Sequence, residues 1–124
     1  MKRDTWDVEP VLVVDDDPDL RLAIQWALED EGLEVVTAAD GREALDVGTR
    51  SQPSLVVLDI GLPVLDGYAV AAGLRQTHGY AVPILVVTAD GRAAEKAERV
   101  EAFDYLHKPF ELDDLLSAVR RGLG

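Results

Sequence analysis

The stretch VLVVDDDPDLR (residues 11–21) joins two kinds of sequence. Four apolar residues are followed by three adjacent aspartates and then by a proline. A run this short and this apolar is typical of a strand buried on both faces of a parallel sheet. Pro18 suits the first turn of a helix, because its nitrogen carries no hydrogen to donate. The stretch therefore predicts a buried strand that ends in a cluster of carboxylates, with a helix after it.

The same alternation of strand and helix recurs along the chain. Besides residues 11–14, strands are predicted at 33–38, 54–59, 83–88 and 103–108. Amphipathic stretches predict helices at 18–31, from Asp40 onward with Glu43 completing a capping box, and at 66–76, 92–100 and 112–122. A (βα)5 order predicts an α/β fold with a doubly wound, five-stranded parallel sheet.

Length and composition narrow the classes of function. The chain has 124 residues, and we expect an N-terminal extension at 1–9 and one domain at 10–124. A net charge of −12 opposes contact with phosphate backbones, so no direct binding of nucleic acid is expected. No apolar run approaches the roughly 20 residues of a membrane helix, so no membrane partner is expected. The absence of cysteine suits a reducing compartment, and we expect a cytoplasmic protein.

Reactive side chains stand at the ends of the predicted strands, namely Asp15, Asp16, Asp59, Thr88 and Lys108. In an open parallel sheet, ligands bind outside the carboxyl ends of the strands. Two carboxylates about 4 Å apart repel by roughly 4 kcal/mol at an effective dielectric of 20, so convergent acids require a cation. Because no cysteine or histidine stands at these strand ends, the ligands are oxygens, which favours a hard ion such as Mg²⁺.

The same residues indicate a reaction class. A cation, an ammonium and a hydroxyl around one carboxylate suit phosphoryl transfer, in which catalysis is mainly positioning and neutralisation of charge. Asp59 is the expected nucleophile, and the expected product is an aspartyl phosphate.

Four motifs together resemble the receiver domain of two-component response regulators, over residues 10–122. They are VLVVDDDP (11–18), LVVLDIGLPVLDG (55–67), PILVVTA (83–89) and DYLHKPF (104–110). The resemblance implies a flavodoxin-like fold with strand order 2-1-3-4-5. It also implies phosphorylation with Mg²⁺, for which Mn²⁺ can substitute, by a sensor histidine kinase or a histidine phosphotransfer protein.

The resemblance further implies roles for single residues around the metal. Asp59 is similar to the phosphoacceptor, which also contributes to the metal shell. Asp15 and Asp16 are similar to the acidic pair that holds the ion, and Gly61 occupies the position whose backbone carbonyl completes the shell. Asp17 precedes the helix proline, so we interpret it as a helix cap instead of a ligand.

Around the phosphoryl group, Thr88 resembles the hydroxyl residue that moves to bond it, and Ala89 the small residue that lets it approach. Lys108 resembles the phosphate-binding lysine, and the resemblance implies a cis bond between Lys108 and Pro109. Tyr105 stands at the position of the switch aromatic, with an ordinary strand tyrosine as the alternative.

Two departures from the family pattern concern signal output. Glu101 stands where a small glycine is usual, and the interval from Thr88 to Lys108 is slightly short, so the fourth helix or its preceding loop is expected to be trimmed. Gly61 and Asp90 occupy positions at which side chains tune dephosphorylation in the family.

Several alternatives remain open at this point. A pseudo-receiver would dock without phosphorylation, and a Mg²⁺-dependent phosphohydrolase would turn over phosphate esters instead of undergoing only autocatalytic transfer and autodephosphorylation. The chain is a stand-alone receiver that acts on a downstream protein, or it lacks an effector domain, and phosphorylation-dependent dimerisation is a further option. His78 and His107 are predicted at the surface, and Trp26 is either an exposed contact or partly packed.

Overall fold

A parallel sheet forms the centre of the molecule. The computed structural model describes residues 8–62, 66–78 and 82–124, and the predicted extension lies outside them apart from residues 8 and 9. The strands of the described chain are β1 (Val11–Val14), β2 (Val35–Ala38), β3 (Leu55–Asp59), β4 (Ile84–Thr88) and β5 (Asp104–His107). All pairings are parallel and the order is β2-β1-β3-β4-β5, which confirms the predicted fold.

Helices cover both faces of this sheet. They are α1 (Pro18–Asp30), α2 (Gly41–Ser51), α3 (Gly67–His78), α4 (Ala93–Arg99) and α5 (Leu112–Leu123). Apolar residues of α1 and α5 pack on one face, and those of α2, α3 and α4 pack on the other. Within the described residues, none of the helices combines the length and apolar character needed to span a membrane.

The central strands are buried along their whole length, as their apolar sequences predict. Every residue of β1, β3 and β4 is buried, whereas the edge strands β2 and β5 are partly exposed. Successive residues of β1 alternate between the two cores: Val11 and Val13 face α1 and α5, while Leu12 and Val14 face the other three helices. Burial on both faces explains why β1 reads as a continuous apolar run.

Some predicted boundaries were wrong by one or two residues. The second strand begins at Val35 instead of residue 33, because the Leu33 N–H donates to the Leu28 carbonyl oxygen (3.2 Å) and closes the end of α1. The helix α3 extends to His78, two residues beyond the predicted end.

The start and the end of α1 follow the predicted capping chemistry. The Asp17 carboxylate accepts hydrogen bonds from the backbone N–H groups of Asp19 (3.0 Å) and Leu20 (3.3 Å). Beyond the end of the helix, Gly32 has φ 92°, a left-handed conformation that glycine adopts without steric cost. Asp17 is therefore a helix cap.

The capping box of α2 differs from the standard arrangement in one contact. Asp40 Oδ1 accepts from the Glu43 N–H (2.9 Å), as expected for an N-cap. The Glu43 carboxylate reaches back to the N–H of Ala39 (2.7 Å), one residue before the cap. The box thus fixes the turn that enters the helix.

The aromatic and histidine residues noted in the sequence lie mostly at the surface. Trp26 is 63% exposed beside the exposed Leu22, and that it contacts a partner stays a prediction. His107 is exposed, as predicted. The prediction for His78 concerns a side chain outside the described part of the structure.

Candidate functional site

Three carboxylates meet at the carboxyl edge of the sheet. Asp15 directly follows β1 and Asp59 ends β3, and these strands are neighbours in which Val14 pairs with Leu58. One carboxylate oxygen from each of Asp15, Asp16 and Asp59 lies within 4.8 Å of the others. Asp15 is 1% exposed and Asp59 is 6% exposed, whereas Asp16 faces solvent. The strand order therefore brings together the acids that the sequence singled out.

Lys108 supplies a positive charge to this cluster. Its Nζ atom lies 2.8 Å from Asp15 Oδ2 and 3.2 Å from Asp59 Oδ2. Its backbone N–H donates to the Thr88 carbonyl oxygen (2.8 Å), which continues the pairing of β5 with β4 by one residue. The peptide bond between Lys108 and Pro109 is cis.

The two oxygens of the Asp59 carboxylate have different partners. Oδ1 accepts a hydrogen bond from the backbone N–H of Gly61 (3.0 Å), and Oδ2 accepts one from Lys108 (3.2 Å). Gly61 is exposed, so the loop after Asp59 borders the solvent side of the site. That the Gly61 carbonyl is a metal ligand stays a prediction.

Burial and neighbouring charges shift the pKa values of both Asp59 and Lys108. Burial raises the pKa of Asp59, and the charge of Asp15 raises it further; these effects outweigh the Gly61 hydrogen bond and Lys108, which lower it. Burial lowers the pKa of Lys108, but its contacts with Asp15 and Asp59 outweigh burial, so the pKa of Lys108 is raised. Lys108 therefore stays cationic beside a carboxyl whose charged form is held at some cost.

Thr88 lies on the same edge as the acids. It is the last residue of β4 and is buried, and its neighbour Val87 pairs with Asp59. The Thr88 hydroxyl accepts a hydrogen bond from the backbone N–H of Asp90 (3.1 Å). Ala89, between them, is exposed. The hydroxyl is thus already engaged with the loop that leads into α4.

Tyr105 lies apart from this cluster in the described conformation. It pairs with Val86 in the sheet and is 43% exposed on the edge strand β5. Its role as a switch residue stays a prediction.

The residues at this edge fit a hard divalent cation. Asp15 Oδ2 is fully buried and receives no well-directed hydrogen bond, although Lys108 lies close to it. One ammonium leaves the three carboxylates with an excess of negative charge, which a divalent cation would offset. Since the available donors are all oxygens, the site has the ligand chemistry that Mg²⁺ prefers.

The structure also shows a contact that the sequence did not single out. Arg21, in the first turns of α1, donates from Nη1 to the backbone carbonyl oxygen of Asp15 (2.8 Å). The bond ties the helix to the backbone of the acidic loop. The sequence could have indicated this contact, because an arginine one to two helical turns after the acids has a side chain long enough to reach back past the start of the helix.

Comparisons with known proteins match this geometry. The sequence profile of the response regulator receiver domain matches residues 11–120. The response regulator MprA of Mycolicibacterium vanbaalenii is 45% identical over 112 residues, which are 89% of this chain and 48% of that protein. The transcriptional regulatory protein PrrA of Mycobacterium tuberculosis is 43% identical over 112 residues, with the same shares covered, 89% and 48%. The chain thus spans about half the length of the curated relatives it matches.

Solved structures show the same likeness in three dimensions. The chemotaxis protein CheY4 of Vibrio cholerae is similar with a TM-score of 0.83 and 34% identity, covering 92% of this chain and 98% of that one. NtrX of Brucella abortus is similar with a TM-score of 0.84 and 36% identity, covering 94% of this chain and 27% of that one. On sequence, fold and the acidic edge of the sheet, this chain belongs to the receiver domain family of response regulators.

Proposed function

We propose that this chain is a phosphorylation-controlled signalling switch in which Asp59 accepts a phosphoryl group. The donor is the phosphohistidine of a sensor histidine kinase or of a histidine phosphotransfer protein. One observation carries the proposal: the buried Asp59 carboxylate lies within 4.8 Å of the Asp15 and Asp16 carboxylates and accepts a hydrogen bond from the Lys108 ammonium, which also contacts Asp15.

The chemistry follows from these neighbours. A carboxylate oxygen of Asp59 forms a bond to phosphorus as the phosphorus–nitrogen bond of the donor breaks, and the electron pair of that bond goes to the donor imidazole. Lys108 then donates to an oxygen of the transferred group, and so does the Thr88 hydroxyl once it turns from Asp90. The exposed Ala89 leaves space beside that oxygen.

Asp15, Asp16 and Asp59, with the Gly61 carbonyl, would hold Mg²⁺, for which Mn²⁺ can substitute. When bound, the cation supplies positive charge that offsets the carboxylates and the phosphoryl oxygens. The convergence of three carboxylates on a single ammonium supports this assignment.

Phosphorylation would act by shifting a conformational equilibrium. Movement of Thr88 towards the phosphoryl group withdraws the acceptor of the Asp90 N–H. Tyr105, on the neighbouring strand, is the expected second switch residue. The surface formed by α4, β5 and α5 is then the output face.

The chemical activity is limited to transfer onto Asp59 and autodephosphorylation. A phosphohydrolase of the haloacid dehalogenase type has a second aspartate two residues after the nucleophile, and Gly61 stands there in this chain. Because Gly61 has no side chain to shield the phosphoryl group, we expect the phosphoryl group to be open to attack by water.

The signal passed on by this domain depends on the effector domain to which it is joined or on the protein that it binds. The curated relatives are about twice as long, and one of them is named as a transcriptional regulatory protein. We therefore propose an effector domain or a downstream protein as the output partner, with phosphorylation-dependent dimerisation as one route to it, and action in the cytoplasm.

Incubation with acetyl phosphate and Mg²⁺, read by intact mass, tests the function. We expect one phosphoryl adduct on the native protein and none on Asp59→Asn, because the amide is not a nucleophile for phosphorus. Asp46→Asn is the matched control, since Asp46 is an exposed aspartate of α2, and it should be phosphorylated like the native protein.

The outcomes separate the rival functions. If neither acetyl phosphate nor a phosphorylated histidine phosphotransfer protein gives an adduct, the chain is a pseudo-receiver that docks without phosphorylation. Release of inorganic phosphate from phosphate esters far beyond one equivalent would point to a phosphohydrolase.

A further inference from the structure

The loop between Thr88 and α4 is held by an ion pair that neither the sequence nor the family pattern indicated. Asp90 Oδ2 lies 2.8 Å from Lys96 Nζ, and Asp90 Oδ1 accepts from the backbone N–H of Arg92 (2.9 Å). Both oxygens of this carboxylate therefore point towards α4. The side chain of Lys96 is only 21% exposed, which is low for a lysine.

This ion pair is less exposed than the ion pair within α2. In the ion pair of Arg50 and Asp46, the side chains are 67% and 69% exposed, and such exposed pairs contribute little to the stability of the fold. In the pair of Lys96 and Asp90, the lysine is mostly covered and the aspartate is 48% exposed. The hydrogen bond from Lys96 lowers the pKa of Asp90, so the Asp90 carboxylate stays ionised at neutral pH.

The ion pair is one bond away from Thr88. The backbone N–H of Asp90 donates to the Thr88 hydroxyl (3.1 Å), and the carboxylate of the same residue holds Lys96. A continuous path of contacts thus leads from the end of β4 to the middle of α4.

The far end of α4 is fastened separately. Arg75 of α3 donates to the carbonyl oxygens of Val100 and Glu101, the latter at 2.9 Å, and to that of Val82 (3.3 Å). Because the residues that end α4 are held by α3, we expect a displacement of the loop at Asp90 to act on the N-terminal turn of α4.

We propose that Lys96 is a positioning residue that couples the Thr88 hydroxyl to α4 through Asp90. The inference rests on the proposed function. When Thr88 turns towards a phosphoryl group on Asp59, the Asp90 N–H loses its acceptor and the loop moves. Lys96 transmits that movement to α4 because its ammonium follows the Asp90 carboxylate.

The test compares native protein, Lys96→Gln and Lys96→Arg after treatment with acetyl phosphate and Mg²⁺. Intact mass gives the extent of phosphorylation, and amide hydrogen exchange of residues 93–99 gives the response of α4. In Lys96→Gln we expect an unchanged extent of phosphorylation and a response of α4 reduced by about threefold or more. Lys96→Arg keeps a cation and should restore the response.

Three further variants keep the test decisive. Asp90→Asn removes the negative charge of the ion pair and should reduce the response of α4 as much as Lys96→Gln does. The double variant should show no further loss, because both changes remove the same interaction. Arg50→Gln removes an exposed ion pair on α2 and should leave the response native.

The inference and the function fail in different ways. If the native protein takes no phosphoryl group, the proposed function is wrong. If Lys96→Gln is phosphorylated and its α4 responds like that of the native protein, Lys96 is not the coupling residue, and the proposed function stands.

Discussion

Asp16 and Asp17 are adjacent in the chain, yet their carboxylates have different surroundings. An oxygen of Asp16 lies within 4.8 Å of oxygens of Asp15 and Asp59, at the edge of the sheet. The Asp17 carboxylate accepts two backbone N–H groups at the start of α1. Of the three adjacent aspartates, Asp17 therefore caps the helix, whereas Asp15 and Asp16 belong to the acidic cluster at the edge of the sheet.

This difference predicts unequal effects on metal binding. Asp16→Asn should weaken Mg²⁺ binding about tenfold or more, because an amide oxygen lacks the charge that offsets the ion. Asp17→Asn should leave the affinity unchanged and cost little stability, since asparagine is as good an N-cap as aspartate. Isothermal titration with MgCl₂ measures both; equal losses in the two variants would mean that the triplet is divided in another way.

Glu101 is a second case in which a single residue is explained by its surroundings. Its φ is 55°, in the left-handed region that favours glycine, which is the residue the family pattern has here. The Glu101 N–H donates to the Glu98 carbonyl oxygen (3.0 Å) and its own carbonyl accepts from Arg75. These bonds hold a conformation that a non-glycine residue rarely adopts.

At the scale of elements, the start of α3 is fixed by its contact with the backbone that directly follows β3 and Asp59. Gly67 begins α3, and its N–H donates to the carbonyl oxygen of Ile60, the residue after Asp59 (3.3 Å). A Cβ atom on Gly67 would lie 2.7 Å from Ile60 Cα and 2.8 Å from Ile60 Cδ1. Only glycine allows the helix to start this close to the backbone of the site.

Gly67→Ala should therefore destabilise the protein by about 1–3 kcal/mol, because the nearest atom belongs to the backbone and cannot rotate away. It should also slow phosphorylation by acetyl phosphate, since Ile60 must shift beside Asp59. Urea unfolding and intact mass measure the two effects. Gly91→Ala is the matched control, because a Cβ atom there meets nothing within 4 Å, and a loss of stability as large as that of Gly67→Ala would contradict the steric explanation.

At the scale of the whole molecule, the buried carboxylate of Asp59 lowers the free energy of unfolding. Burial raises the pKa of Asp59, so above that pKa its ionised form lowers the stability of the folded state. Lys108 offsets part of this cost through its contacts with Asp15 and Asp59. A charge that is buried at the expense of stability is common at functional sites.

In a buffer with chelator and without Mg²⁺, Asp59→Asn should unfold at a higher temperature than the native protein at pH 7, because it removes a buried charge. The difference should shrink as the pH falls through the raised pKa, since the native carboxyl then becomes neutral in the folded state. Thermal unfolding followed by circular dichroism across a pH series measures this. Asp46→Asn, at an exposed site, should change the midpoint little; a midpoint for Asp59→Asn equal to or below the native one at pH 7 would refute the argument.

The sequence by itself determined the alternation of strands and helices, the cap at Asp17 and the residues that end each strand. These features follow from local rules, because burial on both faces produces apolar runs and helix ends require particular side chains. The boundary of β2 was less accurate, since the bond from the Leu33 N–H to the Leu28 carbonyl prolongs the turn after α1 and delays the start of the strand.

Only the tertiary structure decided which of these residues meet. Lys108 contacts Asp15 because the order β2-β1-β3-β4-β5 aligns the carboxyl ends of strands that are distant in the chain. The contacts of Arg21, Arg75 and Lys96 were not predicted, because charged residues on helices follow no pattern that names their partners. Local sequence chooses the elements and the chemistry at their ends, whereas pairing between distant segments sets the distances on which that chemistry depends.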